Sequence, residues 1–563
     1  MRRTWTTATV ALSCAVLCIA YPQPFQQQQG QQHPFTPAHG HGHQVNHNEE
    51  TVHTYARFDG EQVLRFDVSN IDQLKLLQAT VEKENLDLWS NLRIGTVDLR
   101  LPAAKLSTPA IKAITSTIPS TIMIDDLQDL IPSQPPAFTR LQQQQQMNEN
   151  WNFTDNSFWL QYHDFATLNN FTETMVQQYP DLVKRVSIGK TFEGREIFGM
   201  SIHGFKQKKD KKKKKKRKSR SWFFGNDEED HEEVDYFDES FGGHNNDNDQ
   251  EDIIDILGNN DDNDNESSTS VSEKNGDIVS SWWSWLFNTT PRRSIRKPSK
   301  PKKHPKAIVL HAAQHAREWI GPAVVSYIAK ELILGYRKNK KITRLLDQFE
   351  FIVVPVLNAD GYVYTWEHNR MWRKNRQPTS IPFCPGIDPN RNWGHMYGGD
   401  GSSSNPCNEG YHGPEAFAAL ESKMMADFIL DRKNVVAYID FHAYSQLWMS
   451  PYGGDCSQIP KDDEDLMEAG MGAAKALHNV HGKKFSVGSI CNVIYQASGG
   501  SIDWTYAVGK VKYSYGVELR DTGRYGFMLP EAEILPSSEE TMAGVMYLAN
   551  FIRLREKQWG YFA

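Results

Sequence analysis

Apolar runs alternate with amphipathic helical patterns through the C-terminal part of this chain, and that alternation restricts its fold more than any other feature. The runs "AIVLHAA", "FEFIVVPVLN" and "VVAYIDFHAYS" are too continuous for strands with one wet face. Between and after them come "GPAVVSYIAKELILGY", "PEAFAALESKMMADFILDR", "DLMEAGMGAAKALHNVHG" and "EETMAGVMYLANFIRLREKQ", each with apolar residues at helical spacing. Strands apolar on both faces, separated by helices, predict an α/β domain: a mixed, mostly parallel sheet covered by helices on both sides. In such sheets ligands bind beyond the carboxyl ends of the strands. Residues of chemical interest are therefore sought at those ends.

The chain has 563 residues, enough for more than one domain. Its 62 basic and 69 acidic residues leave a net charge of −7, which argues against a nucleic-acid binder. Residues 1–20 carry a basic start, a short apolar run and small residues, the pattern of a signal peptide. No longer apolar segment exists, so no membrane span is expected. Residues 21–50 are Gln/His-rich and are expected to be disordered. Residues 51–132 read as a small α+β domain, with "NIDQLKLLQATVEKENLDLW" as a helical segment capped by Asn70. Residues 133–157 form a Pro/Gln linker, with Arg140 open to a protease. The large domain spans 158–560. It is broken at 205–304 by a dense lysine run, an acidic block and Asn/Asp repeats, read as a disordered charged insertion.

Of the six cysteines, Cys384, Cys407, Cys456 and Cys491 lie outside the signal segment, and in a secreted chain they predict two disulfides with three pairings open. Sequons at Asn152, Asn170, Asn265 and Asn288 fit a secreted glycoprotein.

Candidate chemistry gathers at strand ends. His315 and Glu318 follow "AIVLHAA", and His442 ends "VVAYID". Two histidines and a carboxylate form a known zinc set, which leaves an open position for a water activated near neutral pH. An H-x-x-E pair alone is weak, and His311 reads as a packed strand residue. Glu518 lies between Val517 and Leu519. A carboxylate there needs either a partner such as Arg520 or a role as general base. "NRMWRKNRQ" and "DPNRNW" supply Arg370, Arg373, Arg376, Asn390 and Arg391 beside Trp372 and Trp393, which reads as a positive pocket for a carboxylate or oxyanion.

Together "HAREWI", "NADGYVYTW", "MWRKNRQ", "GIDPNRNW", "HGPEAF", "DFHAYSQLWMSPYG", "YQASGGSIDW" and "ELRDTGRYGFMLPE" resemble the zinc metallocarboxypeptidases of the carboxypeptidase A/B family, in family order, from about Phe158 onward. The 51–132 domain resembles that family's propeptide. The resemblance implies one Zn2+ per chain on His315, Glu318 and His442. It implies Glu518 as base and Arg373 as the group polarising the scissile carbonyl. Asn390, Arg391 and Tyr495 would grip the substrate's terminal carboxylate, assisted by Arg317. It implies the pairs Cys384–Cys407 and Cys456–Cys491, peptide or protein C-termini as substrates, an activating protease, and a monomer. The resemblance also implies Ile502 as the floor of the specificity pocket, among Met449, Ile490, Ala497, Gly500 and Gly516, and hence a preference for aromatic or aliphatic ends. Asp503 nearby reads as a structural cap. A secreted protein is expected, with the vacuole as the other compartment left open. The chain is also similar to fungal carboxypeptidase-like proteins linked to cell-wall organisation, in "YVYTW", "WRKNRQ" and "FCPGID". Those imply a non-catalytic alternative that the retained Glu518 and "NRNW" disfavour.

Overall fold

The computed structural model describes residues 55–90, 92–131, 153–204 and 305–560. The expected signal segment, the Gln/His-rich stretch, most of the linker with Arg140, and the charged insertion lie outside the described residues. So do three of the four sequons. Asn170 falls inside the helix Phe165–Gln178. Among the described residues no helix is long and apolar enough to cross a membrane.

The N-terminal part is a four-stranded antiparallel sheet. It comprises β1 (Gln62–Val68), β2 (Asp87–Leu88), β3 (Gly95–Leu101) and β4 (Ser120–Ile124), in the order β2-β3-β1-β4. The helices Ile71–Glu84 and Pro109–Thr117 contribute Leu77, Val81, Ile111 and Ile114 to a core with Phe66, Val97 and Leu99. Asn70 caps the first helix, accepting from the amides of Asp72 and Gln73. The helical spacing in the sequence continues through "NLDLW". In the structure the helix stops at Asn85, whose φ of 46° is left-handed, and Asp87–Leu88 become a strand. Asparagine tolerates that conformation, so the chain turns there, and Trp89 packs on Tyr444 and Phe527.

The large domain holds an eight-stranded mixed sheet: β5 (Val183–Lys190), β6 (Glu196–Ile202), β7 (Lys306–Ala312), β8 (Phe349–Val354), β9 (Val435–His442), β10 (Leu447–Ser450), β11 (Ser486–Ser489) and β12 (Tyr513–Glu518). The order is β11-β10-β12-β9-β7-β8-β6-β5. The central neighbours β12, β9, β7 and β8 run parallel, while β10/β12, β6/β8 and β5/β6 are antiparallel. Both faces are buried, which is why the strands read as continuous apolar runs. Alternate residues serve different cores. Ile308 and Leu310 of β7, Ile439 and Phe441 of β9, and Tyr515 and Val517 of β12 pack on one side with the helices Ile320–Gly335, Asp463–His481 and Ile534–Gly560. Val309 and Tyr438 face the other side, with Trp393, Ile502 and Trp504. Each fully buried Leu, Ile or Val contributes about 1.5–3 kcal/mol, so these layers hold the strand ends rigidly in register.

On that second face the residue types change toward the carboxyl ends. Positions following Val309 and Tyr438 with the period of two are His311 on β7, then Asp440 and His442 on β9; on β12 the series is Ser514, Gly516, Glu518. Register places His311 beside Asp440 and His442 beside Glu518. The switch from apolar to ionisable side chains on one face is what makes the site. Some elements were not visible in the sequence. The stretch after "VPVLN" is a helix, Ala359–Glu367, and β10 and β11 are four-residue strands.

Candidate active site

His315 lies three residues past the end of β7, and His442 is the last residue of β9. The intervening "HARE" turns so that Glu318 faces back between them. His315 Nδ1 is 2.8 Å from Glu318 Oε1, and His442 Nδ1 is 2.9 Å from Glu318 Oε2. Ligand atoms of the three residues lie within 4.8 Å of one another, and all three side chains are buried. Two imidazole nitrogens and a carboxylate converging on one point suit Zn2+ with a position left open. Burial alone would raise the Glu318 pKa, but His315 and His442 outweigh it and bring it down. The opposite nitrogens are backed by carboxylates. His315 Nε2 is 3.1 Å from Asp388 Oδ1, and His442 Nε2 is 2.9 Å from Asp440 Oδ2. A carboxylate behind each ligand histidine orients the ring toward a metal.

Glu518 ends β12 one strand over from His442. Its Oε2 is buried with no hydrogen-bond partner. Arg520, the partner weighed for it from sequence, is instead engaged by Glu533 and Glu540. Burial pushes the Glu518 pKa up to about 8; His442 and Arg373 pull it down, while Glu318 and Asp440 add to the rise. A bound dication beside it would favour the carboxylate.

Arg373 Nη2 and Nε donate to Asp388 Oδ2 at 2.9 and 3.2 Å, so one carboxylate aligns both Arg373 and His315. Arg391 donates to the Gly401 carbonyl at 2.8 Å and, through Nη2, to the Tyr495 hydroxyl. Asn390 accepts from the Ser501 amide at 2.9 Å. From sequence, the arginines of "NRMWRKNRQ" are expected with Trp372 and Trp393 in one positive pocket. The structure separates them. Arg370 donates to the carbonyls of Arg317 and Phe527 and lies over Trp319; Arg376 lies over Tyr364. Trp393 is a core residue donating to Gln314. Trp319 and Ile320 start the helix Ile320–Gly335, with Trp319 stacked on Trp366.

Ile502 is buried. A Cβ on Gly516 would meet Met449 Cε at 3.4 Å and Ile502 Cγ1 at 3.5 Å, so the glycine keeps that space open. Ile490 and Ala497 both border Gly453. Asp503 accepts from the amides of Gly453 and Gly454 at 2.7–3.0 Å, fixing that turn; burial raises its pKa to about 6. Disulfides join Cys384 to Cys407 and Cys456 to Cys491.

Arg317 points to the N-terminal domain. Its Nη1 donates to both carboxylate oxygens of Asp87, at 2.8 and 3.1 Å, and it stacks on Phe527. Asp87 also pairs with Arg100 at 3.0 Å. Trp89 packs edge-on against Tyr444 and Phe527, and the Tyr444 hydroxyl donates to Asp98 at 2.8 Å. Asp87, Asp388 and Asp440 carry no signal of their own in the sequence, although they lie within "NLDLW", "GIDPNRNW" and "VVAYIDFHAYS".

The zinc carboxypeptidase family description matches residues 168–226 and 287–544, more than half of the chain. The chain belongs to the zinc carboxypeptidase family. The carboxypeptidase activation peptide description matches residues 64–134. Mouse carboxypeptidase A2 is 33% identical over 89% of this chain and 96% of its own length. The inactive metallocarboxypeptidase ECM14 of Ajellomyces capsulatus is 41% identical over 46% of each chain. The structure of thrombin activatable fibrinolysis inhibitor superposes with a TM-score of 0.63 at 26% identity, covering 88% of this chain and 98% of that one. Carboxypeptidase A from Helicoverpa armigera, at 22% identity and a TM-score of 0.62, shares the fold. For a zinc carboxypeptidase, the donor set His315, Glu318 and His442 fits the metal the family implies.

Proposed function

We propose that this chain is a secreted, zinc-dependent carboxypeptidase made as a zymogen, removing aromatic or aliphatic residues from peptide C-termini. The observation that carries the reading is Glu518, whose unpartnered carboxylate oxygen sits beside the His315–Glu318–His442 cluster. When bound, zinc would supply Lewis acidity at that cluster. Glu518 takes a proton from the attacking water and delivers it to the leaving amine. Arg373, held by Asp388, offers N–H donors to the oxygen of the scissile carbonyl as charge develops there. Arg391 and Asn390 bind the terminal carboxylate, and Tyr495, already on Arg391, closes over it. Arg317 joins the substrate-binding groups once Asp87 leaves. Latency follows from that occupancy: Asp87 holds Arg317, which the substrate needs, and the N-terminal domain must be released by an activating protease.

Specificity rests on Ile502, Met449 and Gly516, which offer no charge to a terminal Lys or Arg. Burying an unpaired ammonium there is costly. An aromatic or branched side chain gains about 1.5–3 kcal/mol, a preference of roughly ten- to a hundredfold. Asp503 is committed to two backbone amides and is not free to pair with lysine. The test is kcat/KM of the protease-cut protein on matched peptides ending in Phe and in Lys, with the expected preference for Phe. Equal or higher values for Lys overturn the pocket assignment.

The 41% identity to the inactive fungal protein favours a second reading, a carboxypeptidase-like protein that binds without cleaving; its role in cell-wall organisation is what the motif resemblance implies. It predicts release of neither residue from either peptide.

A further inference from the structure

On β9, Asp440 and His442 are two residues apart and face the same side. Asp440 is wholly buried, and a buried carboxylate needs several donors. Its Oδ2 has them. The Ser501 hydroxyl donates at 2.7 Å, Gln314 Nε2 donates, and His442 Nε2 stands at 2.9 Å. The orientation of Gln314 is decided by Trp393, whose indole N–H can only donate and reaches Gln314 Oε1 at 2.9 Å. The amide nitrogen of Gln314 is therefore the group on Asp440, and Asp440 is an acceptor toward it. The other oxygen, Oδ1, makes no hydrogen bond and lies 3.4 Å from Nε2 of His311. His311 is itself fully buried, with neither ring nitrogen paired.

We infer that Asp440 is a positioning residue for the metal site: it takes the Nε2–H of His442 and so leaves the Nδ1 lone pair aimed at the point shared with His315 and Glu318. The inference rests on the metal-binding reading above. The amide of Asn390 also approaches His442 Nε2, at 3.2 Å, and would favour the other tautomer. The contact to Asp440 is shorter and charge-assisted, and it prevails. Ser501, Gln314 and Trp393 hold the carboxylate in place, so the orientation of a metal ligand is set from three separate segments. His311, in register on the neighbouring strand, presents a bare nitrogen to the remaining oxygen.

The substitution that tests this is Asp440→Asn. An asparagine fits the cavity, with its oxygen in place of Oδ2 and its NH2 toward the bare His311 nitrogen, so the fold should persist while the charge is lost. Apparent zinc affinity would be measured by chelator competition, and the d–d absorption of the cobalt-loaded protein would be recorded alongside. The expected result is a 10- to 100-fold weaker zinc affinity and shifted cobalt bands, with the thermal midpoint of the metal-free protein unchanged. Wild-type affinity and an unchanged cobalt spectrum in Asp440→Asn overturn the inference. A lowered metal-free midpoint together with a wild-type cobalt spectrum also overturns it, because the role is then structural. If the wild-type protein itself takes up no zinc, the metal-binding reading has failed instead.

Discussion

Replacing Asp87 by Asn should unlatch the uncut protein. The Asp87 carboxylate lies buried between Arg317 and Arg100 and accepts from the Trp89 indole at 3.2 Å. Burial opposes its charge, but Arg317 and then Arg100 hold its pKa below the usual aspartate value. Removing one member of a buried pair costs about 3–5 kcal/mol, because the other charge stays buried without compensation. Arg317 is 1% exposed, so it bears that penalty only while the N-terminal domain is docked. The Arg100 share falls within the N-terminal domain, so about half, roughly 2 kcal/mol, should fall on docking. That amounts to a shift of about 30-fold toward the undocked state. The assay is residual peptidase activity of the uncut protein, with the protease-cut forms of wild type and Asp87→Asn compared for equal turnover. Asp59→Asn is the control, since Asp59 pairs with Arg57 on the exposed surface and should change nothing. Uncut Asp87→Asn as silent as uncut wild type, with equal activity after cutting, would refute the latch.

Glu518→Gln should keep zinc bound and lose most turnover, whereas His442→Ala should lose the metal as well; metal analysis beside a rate measurement separates the two. Ile502→Asp should move preference toward peptides ending in Lys or Arg, read as the ratio of kcat/KM for Lys and Phe ends. Glu421 is wholly buried, accepts from Asn375 at 2.8 Å, and has its pKa pushed up from the ordinary 4.5 to about 7 by burial. A raised folded-state pKa favours the fold fully below pH 4.5, and that contribution is lost as pH rises through 7, a decline of about 3 kcal/mol. Glu421→Gln should flatten denaturant stability between pH 5 and 8, and a slope equal to wild type would count against it.

Much of this fold could be read from the chain because the central strands are apolar on both faces, a pattern few architectures accept. Motif strings brought His315, Glu318, His442, Arg373, Arg391 and Glu518 to notice; His315, Glu318 and His442 converge, Glu518 is in register with His442, and Arg373 shares Asp388 with His315. The residues that hold them were harder to see. Asp388 and Asp440 act through contacts whose partners lie 15 to 73 and 2 to 129 positions away, and no local pattern marks such pairings. Asp440 in particular reads as one polar residue within an apolar strand until the register sets it against His311. Asp87 was hidden differently. It continued a helical spacing that only the left-handed turn at Asn85 interrupts.

Turnover of the protease-cut, zinc-loaded chain, with bound zinc counted in the same sample, separates a working peptidase from a binding protein. The expected result is steady release of terminal Phe from a peptide, abolished by a chelator and restored by zinc. Protein that carries one zinc per chain and still releases nothing would contradict it.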